Sequence, residues 1–413
     1  MIQTAVMGYG VVGSGVVEIL TEHMESIAKR TGEEIGIKYI LDIRDFPGSP
    51  FTEKFTKDFE QILNDDEVKV VAEVMGGVNP AYDFTKRCLL KGKSVVTSNK
   101  ELVATKGAEL LEIAKNNNVN YLFEASVGGG IPIIRPMSQC LAANDVIEIA
   151  GILNGTTNFI LTKMIHDHMS FEDALKLAQD NGYAERNPAA DVEGLDAGRK
   201  IAILASLAYG KHIYPDYVHT QGITNITLKD VAYANLWDGV IKLIGRVKRL
   251  DDGKLDISVE PMLIKNSSQL ANIDDVFNGI LVIGDSTGDV VFYGKGAGKL
   301  PTASAVVADM IDCVKHIETR RYIYWEDGSK DCVKPYEETE FAVYVRAETD
   351  DKDNALGIAT ELFRYVQEMS VSENDNEIAF TTGIMTVAEQ EKAVKALNDK
   401  GITVKSKIRI ADF

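Results

Sequence analysis

Ile2-Gln3-Thr4-Ala5-Val6-Met7 runs without a break into Gly8-Tyr9-Gly10-Val11-Val12-Gly13, and this junction decides the fold. The short apolar run reads as a buried strand, and the GxGxxG behind it opens a helix expected from about Val12 to Lys29. Each glycine has its own reason. Gly8 lets the chain turn tightly, Gly10 lets backbone approach a pyrophosphate, and Gly13 lets helix pack on strand. The free N–H groups at the helix start would carry the phosphate charge. A glycine-rich turn with no ligand is the plain alternative, and the downstream pattern counts against it. Apolar runs at Ile35–Leu41, Val68–Met75, Ser94–Thr97 and Asn120–Glu124 alternate with helical stretches at about Ala81–Lys91 and Lys106–Asn116. That alternation predicts a doubly wound parallel sheet.

The adenosine end of such a site has more than one reading. Asp42 ends the second strand and suits a ribose 2′-OH, whereas Arg44 suits a 2′-phosphate. A charged strand end facing water is the third reading. NAD and NADP both stay open.

After Ile131 the pattern changes. Helices are expected at about Ile133–Ala142, Asn158–Asp167, Phe171–Asn181, Asp191–Tyr209 and Thr302–His316. Strands are expected at Asp145–Leu153, Ser258–Leu263 and Gly288–Tyr293. This reads as an α+β region with a sheet of its own. Residues 325–339 are polar, contain Gly328 and Pro335, and suit a linker. From Glu340 a βαββαβ order ends at Lys405–Ile410. The expected class is therefore α/β, in three domains. A Rossmann domain spans residues 1–130, completed by about 295–322. An α+β domain spans 131–294, for which the resemblance described below implies catalysis and dimerisation, and a C-terminal βαββαβ domain spans 340–413.

Composition narrows the function. The formal charge of −18 repels phosphate backbones and anionic lipid, so neither nucleic acid nor membrane is an expected partner. Cys88, Cys140, Cys313 and Cys332 are far apart, which excludes a CxxC zinc site and a disulfide framework. No apolar run reaches membrane length, and the opening residues lack the order of a secretion signal. A cytoplasmic protein is expected, with no kinase domain ahead of a strand that starts at Ile2. His166 and His168 are expected to be solvated rather than ligands. Cys140 reads as buried and inert, and Leu236, Trp237, Tyr322, Tyr324 and Trp325 read as packing residues.

Two segments carry chemistry. Thr97-Ser98-Asn99-Lys100 follows a sheet strand, which places a lysine at the crevice where ligands bind. Asp196 and Lys200 are four apart, so on a helix they share a face. A carboxylate beside an ammonium keeps it charged and aimed, as a proton donor to a forming alkoxide requires. A solvated ion pair is the plain alternative for those two alone.

Longer motifs surround them. Gly151-Ile152-Leu153-Asn154-Gly155-Thr156-Thr157-Asn158-Phe159-Ile160-Leu161 resembles the substrate-loop motif of homoserine dehydrogenases. The run from Gly182-Tyr183-Ala184-Glu185 through Asp191 and Asp196 to Lys200 resembles that family's signature. Thr97 to Ala104 and Gly296-Ala297-Gly298-Lys299-Leu300-Pro301-Thr302-Ala303 match as well, and the similarity covers about residues 1 to 320. The resemblance implies reversible, NAD- or NADP-dependent reduction of aspartate 4-semialdehyde to homoserine, a step of threonine, methionine and isoleucine biosynthesis. It implies Lys200 as proton donor, Asp196 orienting it, and Lys100 at the reacting oxygen and cofactor. Glu185 would hold the substrate ammonium, with Thr156, Tyr183 and Asp191 around the rest. Gly8, Gly10, Val11, Val12, Gly13, Arg44, Met75, Gly76 and Gly298 would line the dinucleotide. Asn187 stands where the family usually has Asp, which implies retuned binding.

Glu124-Ala125-Ser126-Val127-Gly128-Gly129-Gly130-Ile131 also resembles the family. Its glutamate and the carbonyls of Val127, Gly129 and Ile131 would bind sodium or potassium, hard donors for a hard cation. From the residues alone the glycines suggest only a tight turn. Residues 340–413 resemble the ACT domain associated with threonine as effector, although the usual DKPG turn reads Asp351-Lys352-Asp353-Asn354. A dimerising module without an effector is the alternative. The resemblance implies a homodimer or homotetramer. A thioester route through a cysteine has no suitable cysteine here. A silent dinucleotide-binding sensor would leave Glu185, Asp191, Asp196 and Lys200 without a purpose.

Overall fold

A computed structural model describes residues 1–321, 323–369 and 376–413. Tyr322 lies outside the described residues. The first sheet is built from β1 (Ile2–Met7), β2 (Ile35–Leu41), β3 (Phe55–Thr56), β4 (Val68–Glu73), β5 (Ser94–Thr97) and β6 (Tyr121–Leu122). All are parallel, in the order β3-β2-β1-β4-β5-β6. The order reverses at β1, so the crevice outside the carboxyl ends of β1 and β4 is where a ligand binds in such a sheet. The strands are apolar on both faces because helices cover both. These are α1 (Val11–Glu22), α2 (Met24–Thr31), α3 (Phe59–Leu63), α4 (Ala81–Leu90) and α5 (Lys100–Asn116). The helix expected over residues 12–29 is two helices meeting at His23, with hydrogen bonds running on through that residue.

The second half carries β7 (Val146–Ile152), α6 (Gly155–His166), α7 (Phe171–Asp180), α8 (Ala189–Val192), α9 (Leu195–Tyr209), β8 (His219–Thr220) and α10 (Leu228–Leu236). It continues with β9 (Gly239–Arg249), β10 (Leu255–Lys265), β11 (Phe277–Gly284), β12 (Gly288–Lys295) and α11 (Lys299–Lys315). α11 returns to pack on α1, where a Cβ on Gly15 would stand 2.9 Å from the Ala303 Cβ.

The C-terminal part is β13 (Glu340–Phe341), β14 (Val343–Glu348), α12 (Lys352–Phe363), β15 (Val366–Met369), β16 (Glu377–Thr382), β17 (Met385–Thr386), α13 (Val387–Asp399) and β18 (Thr403–Ile410). Apart from the small β13–β17 ribbon, the order is the expected βαββαβ.

The middle region does not keep a sheet of its own. β18 pairs parallel with β10 through Met262–Arg409 and Leu263–Ile410, giving one sheet in the order β12-β11-β7-β9-β10-β18-β14-β16-β15. The reason is ionic as well as hydrogen-bonded. Buried Arg409 donates to Asp256 at 2.9 Å and Glu260 at 3.1 Å, both on β10. β9 and β11 were not expected. Lys242, Arg246, Lys248 and Arg249 break the apolar pattern of β9, yet Lys242 is fully buried against Asp274 and Arg246 joins Glu148 and Asp256. The expected helix from Ile133 is shorter, one helical turn that widens into a π-helical turn at Pro136–Cys140. Pro136, which has no N–H to give, stands at the head of that turn, and Leu141 N donates to its carbonyl at 2.9 Å. Cys140 is exposed, contrary to expectation, because that turn lies at the surface. Trp325 is buried and anchors the irregular stretch before β13, whereas Leu236 is exposed.

Candidate active site

At the carboxyl ends of β1 and β4 lies a cavity of about 390 Å³ lined by Gly8, Gly10, Asp42, Arg44, Met75 and Gly76 among others. Gly8 turns at φ 99°, and a Cβ on Gly13 would stand 1.9 Å from the Gly8 carbonyl oxygen. Beside Gly10 there is open space, and α1 has no side-chain cap on its first N–H groups. A tight turn, open space and tight packing thus fall on the three glycines in order. Val11 is exposed at the helix start, Val12 is half-buried, and Gly298 opens α11 at φ 129°.

Asp42 and Arg44 form one unit. Arg44 donates to both Asp42 oxygens at 2.9 Å, and the Tyr9 N–H donates to Asp42 Oδ2 at 2.8 Å. The guanidinium beside it holds the Asp42 carboxyl well below the usual carboxylate range.

The second group is centred on Asp196. Lys100 opens α5, whose first turn is capped by Asn99 Oδ1 accepting from Leu102 N at 3.1 Å. Asp196 and Lys200 lie one turn apart on α9, which Gly194 starts at φ 83°, splitting the single helix expected over residues 191–209. Asp196 Oδ1 stands 2.9 Å from Lys100 Nζ, and its Oδ2 stands 2.8 Å from Lys200 Nζ. Lys200 also donates to the Leu153 carbonyl at 2.7 Å. Burial alone would raise the Asp196 carboxyl, but the Lys200 and Lys100 ammonium groups outweigh it and hold it below the ordinary range. This is not the solvated pair that spacing alone allows, since Asp196 and Lys200 side chains are 9% and 10% exposed.

Asn154 was missed as a site residue. Its Nδ2 donates to Asp191 Oδ1 at 2.7 Å and Asp196 Oδ2 at 3.0 Å, while its Oδ1 caps α6 through Thr157 N. The available signal was Asn before Gly-Thr-Thr, a helix start. Burial raises the Asp191 carboxyl, opposed by the Asn154 amide. Thr156 Oγ1 donates to the Tyr183 carbonyl at 2.7 Å, and the Tyr183 ring meets Phe159 edge-on. Glu185 and Asn187 stand on the exposed loop beside them. His166 and His168 are exposed, as expected.

At the junction of the two sheets, Glu124 is buried and its carboxylate accepts from the N–H groups of Ile133, Ile134 and Arg135 at 2.6–2.8 Å. Val127, Gly129 and Ile131 are buried too, and no hydrogen bond among the described residues ends on their carbonyls. Gly129 has φ 56° and a Cβ there would meet the Gly296 carbonyl at 2.2 Å. Among the described residues no cluster of His, Cys, Asp or Glu forms a side-chain metal site.

Comparison with known proteins shows the family and the fold. The family described as "Homoserine dehydrogenase, NAD binding domain" matches residues 8–124, and that described as "Homoserine dehydrogenase" matches residues 132–311. A homoserine dehydrogenase of Helicobacter pylori is 40% identical over 89% of this chain and 86% of its own length. The crystal structure of a homoserine dehydrogenase from Thiobacillus denitrificans superposes with a TM-score of 0.91, at 33% identity, covering 100% of this chain and 98% of that one. A hyperthermophilic archaeal homoserine dehydrogenase mutant in complex with NADPH gives a TM-score of 0.64 at 26% identity, over 75% of this chain and 97% of that one.

Proposed function

This chain belongs to the homoserine dehydrogenase family, and from that premise we propose how its own side chains carry the reaction. The enzyme is an NAD(P)-dependent oxidoreductase that interconverts L-aspartate 4-semialdehyde and L-homoserine. When bound, the dinucleotide supplies the hydride to the aldehyde carbon or takes it back.

Lys200 gives the proton to the substrate oxygen as that oxygen gains charge. Asp196 holds Lys200 in place, and Lys100 is the second cation for the developing alkoxide. The observation that carries this is one buried carboxylate gripping two lysines, one from each sheet's helices. Thr156, Tyr183 and Asp191 surround the amino-acid part, and Glu185 on its exposed loop takes the ammonium. Gly8, Gly10, Val11, Val12, Gly13, Met75, Gly76 and Gly298 hold the dinucleotide. Arg44 and Lys57 line that cavity, Arg44 paired with Asp42 and Lys57 with Asp45. Arg44 is the group to take a 2′-phosphate and Asp42 the group to take a 2′-OH, so NADP and NAD both fit this lining.

The test is direct. Lys200→Ala should fold, still bind NADPH by fluorescence titration, and lose turnover in both directions by about 10³-fold. A variant within tenfold of full activity would remove Lys200 from the mechanism.

Other roles fall around this centre. The carbonyls of Val127, Gly129 and Ile131, with Glu124, would hold a sodium or potassium ion that stiffens the junction between the sheets. The spans 1–130 with 295–322, 131–294 and 340–413 are read as dinucleotide, catalytic and ACT-like regulatory domains. Threonine is the effector to test on the last, whose Asp351 caps α12 by accepting from Asn354 N. A homodimer or homotetramer and a cytoplasmic location complete the reading. Among the described residues no helix is long and apolar enough to cross a membrane.

A further inference from the structure

Glu73 ends β4 with no exposed surface and has no part in the reaction described above. Among the described residues no lysine or arginine makes an ion pair with it. Its donors are instead neutral. Its Oε1 accepts from Met75 N at 2.8 Å, on the turn that lines the coenzyme cavity. Its Oε2 accepts from Thr97 Oγ1 at 2.7 Å, on the neighbouring strand that leads to Lys100. Glu73 and Thr97 are register partners in the sheet, so both side chains stand on one face. The same hydroxyl accepts from Asn99 N at 2.9 Å, and Asn99 Nδ2 donates across to the Gly77 carbonyl at 2.6 Å. Asn99 in turn caps the helix that Lys100 opens.

Burying a carboxyl without a cation is costly. A fully apolar strand end would avoid that cost but would leave the Met75 N–H and the Thr97 hydroxyl without acceptors. We propose that Glu73 is a positioning residue that clamps the coenzyme turn at Met75–Gly77 to the Lys100 turn at Thr97–Asn99. The clamp fixes the coenzyme turn relative to Lys100, and through Asp196 relative to Lys200. It rests on the reading of the cavity as the coenzyme site.

The clamp predicts a particular split in the kinetics. Glu73→Gln keeps the shape but loses an acceptor, so the coenzyme KM should rise and kcat fall, each by about tenfold. The homoserine KM should stay within about twofold, because Thr156, Tyr183, Asp191 and Glu185 make no direct bond to Glu73, Thr97 or Asn99 among the described residues, and Asp191 is reached only through Asp196 and Asn154. A purely structural role would lower the melting midpoint and the yield of active enzyme with the coenzyme KM unmoved. Thr97 gives an independent arm should Glu73→Gln not fold. Thr97→Val should reproduce the coenzyme effect, and Thr97→Ser, which restores the hydroxyl, should reverse most of it. Folded Glu73→Gln or Thr97→Val with unchanged coenzyme KM and kcat overturns the proposal. Failure of the coenzyme-site reading looks different: titrating NADP and NAD against Gly10→Val would leave coenzyme binding intact.

Discussion

Asp196 and Lys100 meet at 2.9 Å, one on α9 beside the mixed sheet, the other at the head of α5 beyond the parallel sheet. Because α5 and α9 pack together, a residue of each sheet's framework ends at one carboxylate. Lys200 on the next turn of α9 shares it. Two ammonium groups this close repel unless a charge stands between them, and Asp196 is that charge.

Asp196→Asn should therefore harm both chemistry and folding. We expect kcat to fall by about 10²-fold or more, since the lysines lose their alignment. The buried Lys200 arm should cost about 3 kcal/mol of stability. Lys100 is more than a third exposed and adds little. Steady-state kinetics and urea melts check both, and a stable variant with full kcat would remove Asp196 from its role.

Arg44→Ala should change coenzyme choice. Removing the guanidinium takes away a cation of the cavity and frees the Asp42 carboxylate, which Arg44 now occupies on both oxygens. The ratio of kcat/KM for NADP to that for NAD should drop by about tenfold or more. An unchanged ratio would mean the 2′ position is read elsewhere.

His212 makes stability depend on pH. Trp325 Nε1 donates to its Nδ1 at 2.8 Å, so its Nε2 carries the proton donated to the Ala104 carbonyl at 2.9 Å. Burial lowers its pKa from the ordinary 6.5. Above that value both folded and unfolded chains hold a neutral imidazole and nothing is lost. Below it the unfolded chain takes a proton that the folded chain resists, so stability falls, by at most about 1.4 kcal/mol per pH unit. Melting midpoints from pH 8 to 5 should fall less steeply in His212→Gln. In both proteins His219, lowered by burial too, adds slope of the same sign, and Asp309, which burial raises to about 7, adds slope of the opposite sign. Equal slopes in the two proteins would contradict this.

The junction loop predicts an ion effect. Replacing sodium and potassium chloride with choline chloride at constant ionic strength should lower the melting midpoint by several degrees, as expected when a ligand of the native state is withdrawn. Gly129→Ala should fold poorly in any salt, because a Cβ would stand 2.2 Å from the Gly296 carbonyl oxygen. Identical midpoints in potassium and choline would argue against a bound cation.

Much of this was legible along the chain. The strand, glycine loop and helix at Ile2–Gly13 carry local reasons for their shape, and the structure shows each in place. Lys100, Asp196 and Lys200 were visible as candidates through strand-end position and helical spacing. The βαββαβ order was legible too, because turn residues and period-two patterns are local. Other features escaped. β9 hid behind Lys242 and Arg246, whose charges are buried against partners distant in sequence. The Asn154 bridge needs Asp191 and Asp196 brought to one amide. Cys140 came out exposed because the π-helical turn that ends on it lies at the surface.

Local patterning along the chain settled the parallel sheet, its phosphate turn and the residue types able to move a hydride's companion proton. Long-range packing settled that Lys100 and Lys200 share one carboxylate and that β18 extends the sheet started by β7. Those outcomes depend on distances between residues far apart in the chain. Periodicity and capping report on neighbours within a few positions, whereas charge pairing in a low-dielectric interior is decided by which surfaces the folded chain brings into contact.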